Sequence, residues 1–426
     1  MRAVLFTGTG DLVPYYALYA LLFAEQGLGP GQISLLLAVW SMTAFLLEVP
    51  SGAWADTVSR RVLLVLSGAL LTTGFVVWTV APSPLGFALG FVLWGVSGAL
   101  RSGTFEALLY DELTAYGSTW AYPRILGYVR AATEIAAVLG ILAATPLYLW
   151  GGYPLVGWVS VVVAAGHTAL ACALPAAPKS VSATEVDEFA DAVAGGPTES
   201  RPVDAAGSVS RYLAMLRTGV TEAVRIRVVR RGAVLAALLA GITAFDEYFA
   251  LLAAEAGVAT AVVPVLVGVT VLGSLFGSSL AGRTEGVGAR ALALALGIGG
   301  VLFLVGAVVV GLAVRRPEAV YVCAGLGFAA MAAAYGVVYN AAVIAEARLQ
   351  DAIEGPARAT VTSVSGLLEE VVSLVVFGFV ASATLWLSMS STVALLGIAI
   401  LGIAVMTRFW LPRRAETAGR DEVRLG

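Results

Sequence analysis

Two pairs of adjacent acids, Asp246–Glu247 and Glu369–Glu370, stand inside long apolar runs, and Asp11, Glu134, Arg101 and Arg130 share that setting. A charge there is costly unless it faces water, a polar bundle interior or an opposite charge, so each of these residues is a functional candidate by default. Their chemistry is proton exchange and the holding of a charged solute. A carboxyl withdrawn from water keeps its proton more firmly, and proton coupling needs an acid that loads and unloads near neutral pH. With Glu48 and Glu106 included, the apolar runs hold eight acids against two arginines, a balance that favours a cationic solute, protons or both. Arg101 is suited to answer one of the acids or to hold an anionic group of a substrate. Arg130 and Glu134 are spaced i,i+4, which lets them neutralise each other on one helix face. Tyr248, Tyr335, Tyr339 and Asn340 offer hydrogen bonds and cation–π contacts to a cavity, or else pack helices together.

Other chemistries find no support. The chain has no HExxH, GxSxG or phosphate-loop motif and no cysteine–histidine pair. Its one histidine, His167, rules out a histidine metal cage and reads as an interhelical hydrogen-bonding residue, while Cys172 and Cys323 form no CxxC motif. No enzyme, metal site, cofactor or nucleic-acid partner is expected.

The elements that must position these charges follow from composition. Of 426 residues, 59% are hydrophobic and 12% charged, and the mean hydropathy is +0.90. A soluble domain carries roughly 25% charged residues. So much apolar surface needs lipid as its solvent, and in lipid the backbone must satisfy itself, which calls for helices. A crossing takes about 20 apolar residues. Runs of that kind fall at 4–25, 32–55, 62–81, 84–108, 125–149, 153–174, 232–252, 259–282, 289–314, 318–346, 359–383 and 386–411, predicting twelve spans, numbered here in that order. The first, with an acid inside it and no small-residue cleavage site, reads as a span and not as a cleavable signal. With both termini cytoplasmic, all but four of the 25 basic residues fall on the inner side, the exceptions being Arg315 and Arg316 outside and Arg101 and Arg130 within spans.

The spans divide into an N-terminal bundle (1–174) and a C-terminal bundle (231–412), with a linker at 175–230 and a tail at 413–426. The linker opens with an Ala-, Ser-, Pro- and acid-rich stretch. It continues with Leu213, Leu216, Val220 and Val224 on one stripe among arginines, the pattern of a helix lying on the inner membrane surface. On depth alone, Glu369 lies ~15 Å, Asp11 ~10 Å and Asp246 ~21 Å along their spans. Neighbours on a helix point about 100° apart, so one acid of each adjacent pair is expected to face a central cavity.

The loop after the second span reads Gly52-Ala-Trp-Ala-Asp56-Thr-Val-Ser-Arg60-Arg61. It resembles the loop 2–3 motif of the major facilitator superfamily, departing from it at Trp54 and at Ser59, where a glycine is usual. That resemblance implies an all-α membrane protein of two six-helix bundles. It also implies a conformational latch in which Gly52 allows close helix approach, Asp56 meets a helix N-terminus, and Asp111 partners Arg60 and Arg61. A shorter echo, Ser278 to Arg283, lacks the acid. The strings Leu47–Gly52, Phe105–Asp111 and Asp246–Phe249 look like a poorly characterised actinobacterial, drug-efflux-like branch. In that superfamily spans 1, 2, 4, 5, 7, 8, 10 and 11 line the cavity, and the charges here keep to them. The family's antiporter motif in span 5 is not intact, since Thr145 precedes Pro146. The expectation is a proton-coupled secondary transporter working by alternating access. It would be a multi-pass monomer of the cytoplasmic membrane, its partners being lipid, protons and a small-molecule substrate. Efflux of an amphipathic, cationic compound leads, and import of a small polar or siderophore-like metabolite is the alternative.

Overall fold

The computed structural model describes residues 1–175, 226–353 and 358–413, which form helices joined by short turns. The helical part of the 175–230 linker and nearly all of the tail lie outside the described residues. Ten described helical stretches are long and apolar enough to cross a membrane. One of them, Thr119–Cys172, doubles back at Gly151 and Gly152, where Gly152 takes a φ of 61° that a side chain would strain. It therefore supplies spans 5 and 6. Residues Arg2–Asp11, Pro14–Ala17 and Tyr19–Glu25 supply span 1 in three pieces. Together these are consistent with the twelve expected spans.

Three spans are broken where charge sits. Span 1 stops at Asp11 and resumes at Pro14, whose ring denies the helix a donor. Span 4 runs Pro84–Arg101, bends at Ser102 and Gly103 (φ 67°), and continues as Thr104–Ala115. Span 7 runs Arg227–Gly241, tightens to a 3₁₀ turn over Ile242–Tyr248 and finishes as Phe249–Glu255. In that tight turn the Thr243 hydroxyl donates to the Ala240 carbonyl at 2.6 Å, competing for a ladder acceptor. The other spans, Pro30–Thr57, Arg60–Val80, Val263–Thr284, Ala289–Leu312, Val320–Ala352, Arg358–Ala383 and Met389–Trp410, are single helices.

Each half has an aromatic heart. Phe23, Trp78, Phe87 and Phe91 fill the first, and Phe245, Phe249, Phe303 and Phe328 the second. Large apolar side chains such as Leu35, Leu294 and Val405 stay exposed, as lipid-facing positions must. Small residues set the closest approaches. A Cβ at Gly277 would sit 1.9 Å from the Gly336 carbonyl oxygen, so spans 8 and 10 touch backbone to backbone.

The loops sort into two ends. Arg2 donates to the Ala173 carbonyl at 3.2 Å, and Arg348 donates to the Glu285 and Val287 carbonyls at 2.8 and 2.6 Å, tying the arginine-rich end within each half. At the opposite end Tyr153 donates to Glu25 at 3.1 Å, while the Glu255 carboxylate accepts the first backbone N–H groups of span 12. The halves meet through spans 2 and 11, 5 and 8, and the pieces of spans 1 and 7. Gly31 lies against Ala381, Gly268 against Leu142, and the Thr145 hydroxyl donates to the Ala261 carbonyl at 2.8 Å. These contacts lie between the middle of the spans and the opposite end, so among the described residues the halves close there and part toward the arginine-rich end.

Candidate functional site

Where spans 2, 7 and 11 converge they enclose a cavity of about 190 Å³. Trp40 and Ser41 face it from span 2, Thr243, Asp246 and Glu247 from span 7, and Glu369, Glu370 and Phe377 from span 11. All four acids of the two adjacent pairs therefore line one space, where one of each pair was expected. The tight turn in span 7 explains part of this, because three residues per turn superpose Thr243 and Asp246 and swing Glu247 toward the other half. A second cavity of about 300 Å³ shares Ala240, Thr243 and Glu369 with the first. It runs past Tyr339, Glu346 and Gln350 toward the arginine-rich end. Among the described residues, no basic side chain lines either space.

The acids have hydroxyl partners instead. Tyr335 donates to Asp246 within the C-terminal half and also lies 3.4 Å from the Tyr339 hydroxyl. Tyr19, from span 1, donates to Glu247 across the boundary between halves. Ser41 does the same for Glu370 at 2.6 Å. Glu369 accepts no such bond in the described structure and stands within electrostatic reach of Glu370 and Glu346.

The N-terminal half treats its charges differently. Arg101 comes within 3.7 Å of Asp11, at the breaks of spans 4 and 1, and so answers an acid of its own half. The Tyr16 ring stacks on Trp94 with centroids 5.3 Å apart, beside that pair. His167 is buried against the Phe6 carbonyl at 2.8 Å, the interhelical role expected of it. Arg130 and Glu134 are both exposed, and among the described residues no ion pair joins them, contrary to the mutual neutralisation that their spacing suggested. Glu134 instead stands within electrostatic reach of Asp11 in its own half and of Tyr339 in the other.

Two cavity candidates prove to be packing residues. Asn340 donates to the Gly277 carbonyl at 2.9 Å and pairs with Thr284, fastening span 10 to span 8. Tyr248 is fully buried and donates to Ser34 at 2.9 Å, a neutral bond between halves one residue along from Glu247. Near the loop motif, Arg60 meets Asp111 at 2.5 Å with both side chains 1% exposed, and also donates to the Ala107 carbonyl at 3.0 Å. Arg61 reaches the Leu174 carbonyl at 3.4 Å instead of Asp111. Among the described residues, a Cβ at Gly52 would meet nothing within 4 Å, so none of them makes the close approach ascribed to that glycine. The side chain of Asp56 lies outside the described residues.

Sequence reasoning missed Tyr19, Ser41, Trp40 and Phe377 as site residues. A signal existed for the first, since Tyr15 and Tyr19 repeat at helical spacing after Asp11; a lone serine in span 2 carried none.

A family model described as the Major Facilitator Superfamily matches residues 3–368. The chain belongs to the Major Facilitator Superfamily. No curated protein matches it in sequence. Among solved structures, the fold is similar to a POT family peptide transporter described as auto-inhibited, with a TM-score of 0.68 at 13% identity over 98% of each chain. It is also similar to a bacterial homolog of the human lysosomal transporter Spinster, described as inward-facing and unoccupied, with a TM-score of 0.67 at 16% identity over 98% of this chain and 97% of that one. At such identities the likeness carries the fold alone. As a superfamily member the chain is a multi-pass secondary transporter, and transporters of this superfamily bind small-molecule substrates.

Proposed function

We propose that this transporter couples proton movement to the export of an amphipathic, cationic small molecule by alternating access. The observation that carries the reading is the cavity bounded by Asp246, Glu247, Glu369 and Glu370. Its partners are hydroxyls, and its walls include Trp40 and Phe377. Two carboxylates about 5 Å apart repel by roughly 3 kcal/mol at an effective dielectric near 20. A space with four such groups and, among the described residues, no base is relieved by protons or by an organic cation, and the aromatic walls suit the apolar part of that cation. Exchange of one for the other is antiport. The opening toward the arginine-rich end, the cytoplasmic side by the charge bias of the loops, gives a compound inside the cell a way in.

The test is flux in proteoliposomes. With an imposed pH gradient, a lipophilic quaternary or tertiary amine dye should move against the proton flow, and Glu369→Gln should remove that gradient dependence. Dye movement that ignores the gradient in the unsubstituted protein would discard proton coupling; movement along the proton flow would reverse the assigned direction.

A further inference from the structure

Resting on the transport reading, we infer that each adjacent acid pair divides its labour. The second member, Glu247 or Glu370, locks the two halves together at the opposite end. The first, Asp246 or Glu369, serves the cargo space of the C-terminal half.

The hydrogen bonds separate the members cleanly. Asp246 is held by Tyr335, a residue of its own half, whereas its neighbour Glu247 is held by Tyr19 from the other half. Glu370 is held across the boundary by Ser41 at 2.6 Å, whereas its neighbour Glu369 lines both cavities and looks toward Glu346. The division thus occurs twice, on spans 7 and 11, with the same order along the chain. Helix geometry produces it, because side chains one residue apart diverge by about 100–120° and cannot both serve the same partner. The Ser41–Glu370 bond sits near the middle of spans 2 and 11, and the Tyr19–Glu247 bond lies toward the opposite end of spans 1 and 7, so the two border the cavity on its closed side. A hydrogen bond to a charged group is worth more than a neutral one. Tyr248–Ser34 also crosses the boundary, at 2.9 Å, but joins two hydroxyls. It provides an internal control.

Tyr19 and Ser41 are therefore positioning residues. They decide how long the opposite end stays shut, through acids that the cavity's occupants can reach, although Ser41 also borders the cavity. Opening that end requires both bonds to break. Because one arises from span 1 and the other from span 2, the N-terminal half contributes a separate donor to each acid pair.

The experiment uses the full-length chain in proteoliposomes, with Cys172 and Cys323 replaced by alanine and a reporter cysteine placed at one of two sites. Thr384→Cys, beside Gly31, reports the opposite end; Gln350→Cys, in the second cavity, reports the arginine-rich end. Tyr19→Phe, Ser41→Ala, Glu247→Gln and Glu370→Gln should each raise maleimide labelling at position 384 by roughly tenfold relative to position 350, whereas Tyr248→Phe should change it less than about threefold. Tyr19→Phe combined with Glu247→Gln should shift labelling no further than either alone, and Ser41→Thr, which keeps the hydroxyl, should behave as the parent. Asp246→Asn and Glu369→Gln should leave the labelling ratio within about twofold while cutting amine-dye flux. The variants at Tyr19 and Ser41 remove one hydroxyl each, and a monodisperse elution profile keeps a folding defect apart from a conformational one. Unchanged labelling in Tyr19→Phe and Ser41→Ala, or additive effects in the Tyr19–Glu247 pair, would overturn the interlock even if dye flux persists. Labelling that divides as described in a protein that moves no dye would sustain the interlock and remove the transport reading instead.

Discussion

The two halves share one plan yet handle charge in opposite ways. In the N-terminal half the acid Asp11 meets the base Arg101 at 3.7 Å, and at the arginine-rich end Arg60 meets Asp111 in a fully buried pair. In the C-terminal half the cavity acids Asp246, Glu247 and Glu370 are each held by a hydroxyl, and the buried Arg348 donates to the Glu285 and Val287 carbonyls. An acid paired with a fixed base has its charge settled whatever enters the cavity. An acid paired with a hydroxyl does not. Exchangeable charge is thus concentrated in one half, and the other supplies fixed charge, aromatic packing and the donors that reach across.

The largest effect should come from making the second half resemble the first. Thr243→Lys places an ammonium beside Asp246 and Glu369 in the wall shared by both cavities. Dye flux should fall by more than about 100-fold while the thermal unfolding midpoint stays near that of the parent, because the new base finds acids already present. Flux that survives would mean that the exchangeable charge lies elsewhere. The next effect is on stability. Arg60→Leu leaves Asp111 buried beside an apolar partner and should cost about 3–5 kcal/mol. Thermal unfolding in detergent reads the loss, and an unchanged midpoint would show that this half does not depend on its fixed pair. The smallest effects concern helix approach. Gly277→Ala drives a methyl into the Gly336 carbonyl and should cost about 1–3 kcal/mol, while Gly52→Ala, which meets no described atom within 4 Å, should stay within about 0.5 kcal/mol. A destabilised Gly52→Ala protein would show that this glycine is gripped in another conformation.

The spans were legible because lipid imposes a rule that sequence states directly: about 20 apolar residues between polar loops. The Arg60–Asp111 contact agrees with the motif resemblance, which tied the loop to the end of span 4. What sequence did not state was direction around each helix at the points where the helix stops being regular. A uniform 100° step predicted one cavity-facing acid per pair; the tight turn at Ile242–Tyr248 brings both into the space, and their division shows only in their partners. Arg130 and Glu134 illustrate the converse, since spacing alone permits a pair that the surroundings do not enforce. Ser41 was invisible because serine in a span is ordinary, and only the approach of span 11 turns it into a donor for Glu370.

The breaks in spans 1, 4 and 7 lend those charges a mechanical meaning. Asp11 ends one rod, Arg101 ends another, and Asp246 and Glu247 lie inside the tight turn of a third. Where the hydrogen-bond ladder is interrupted, a helix bends cheaply. A force applied at a fulcrum turns both arms, so a change of charge at these joints can swing the long segments on either side without distorting the packed backbones of spans 8 and 10.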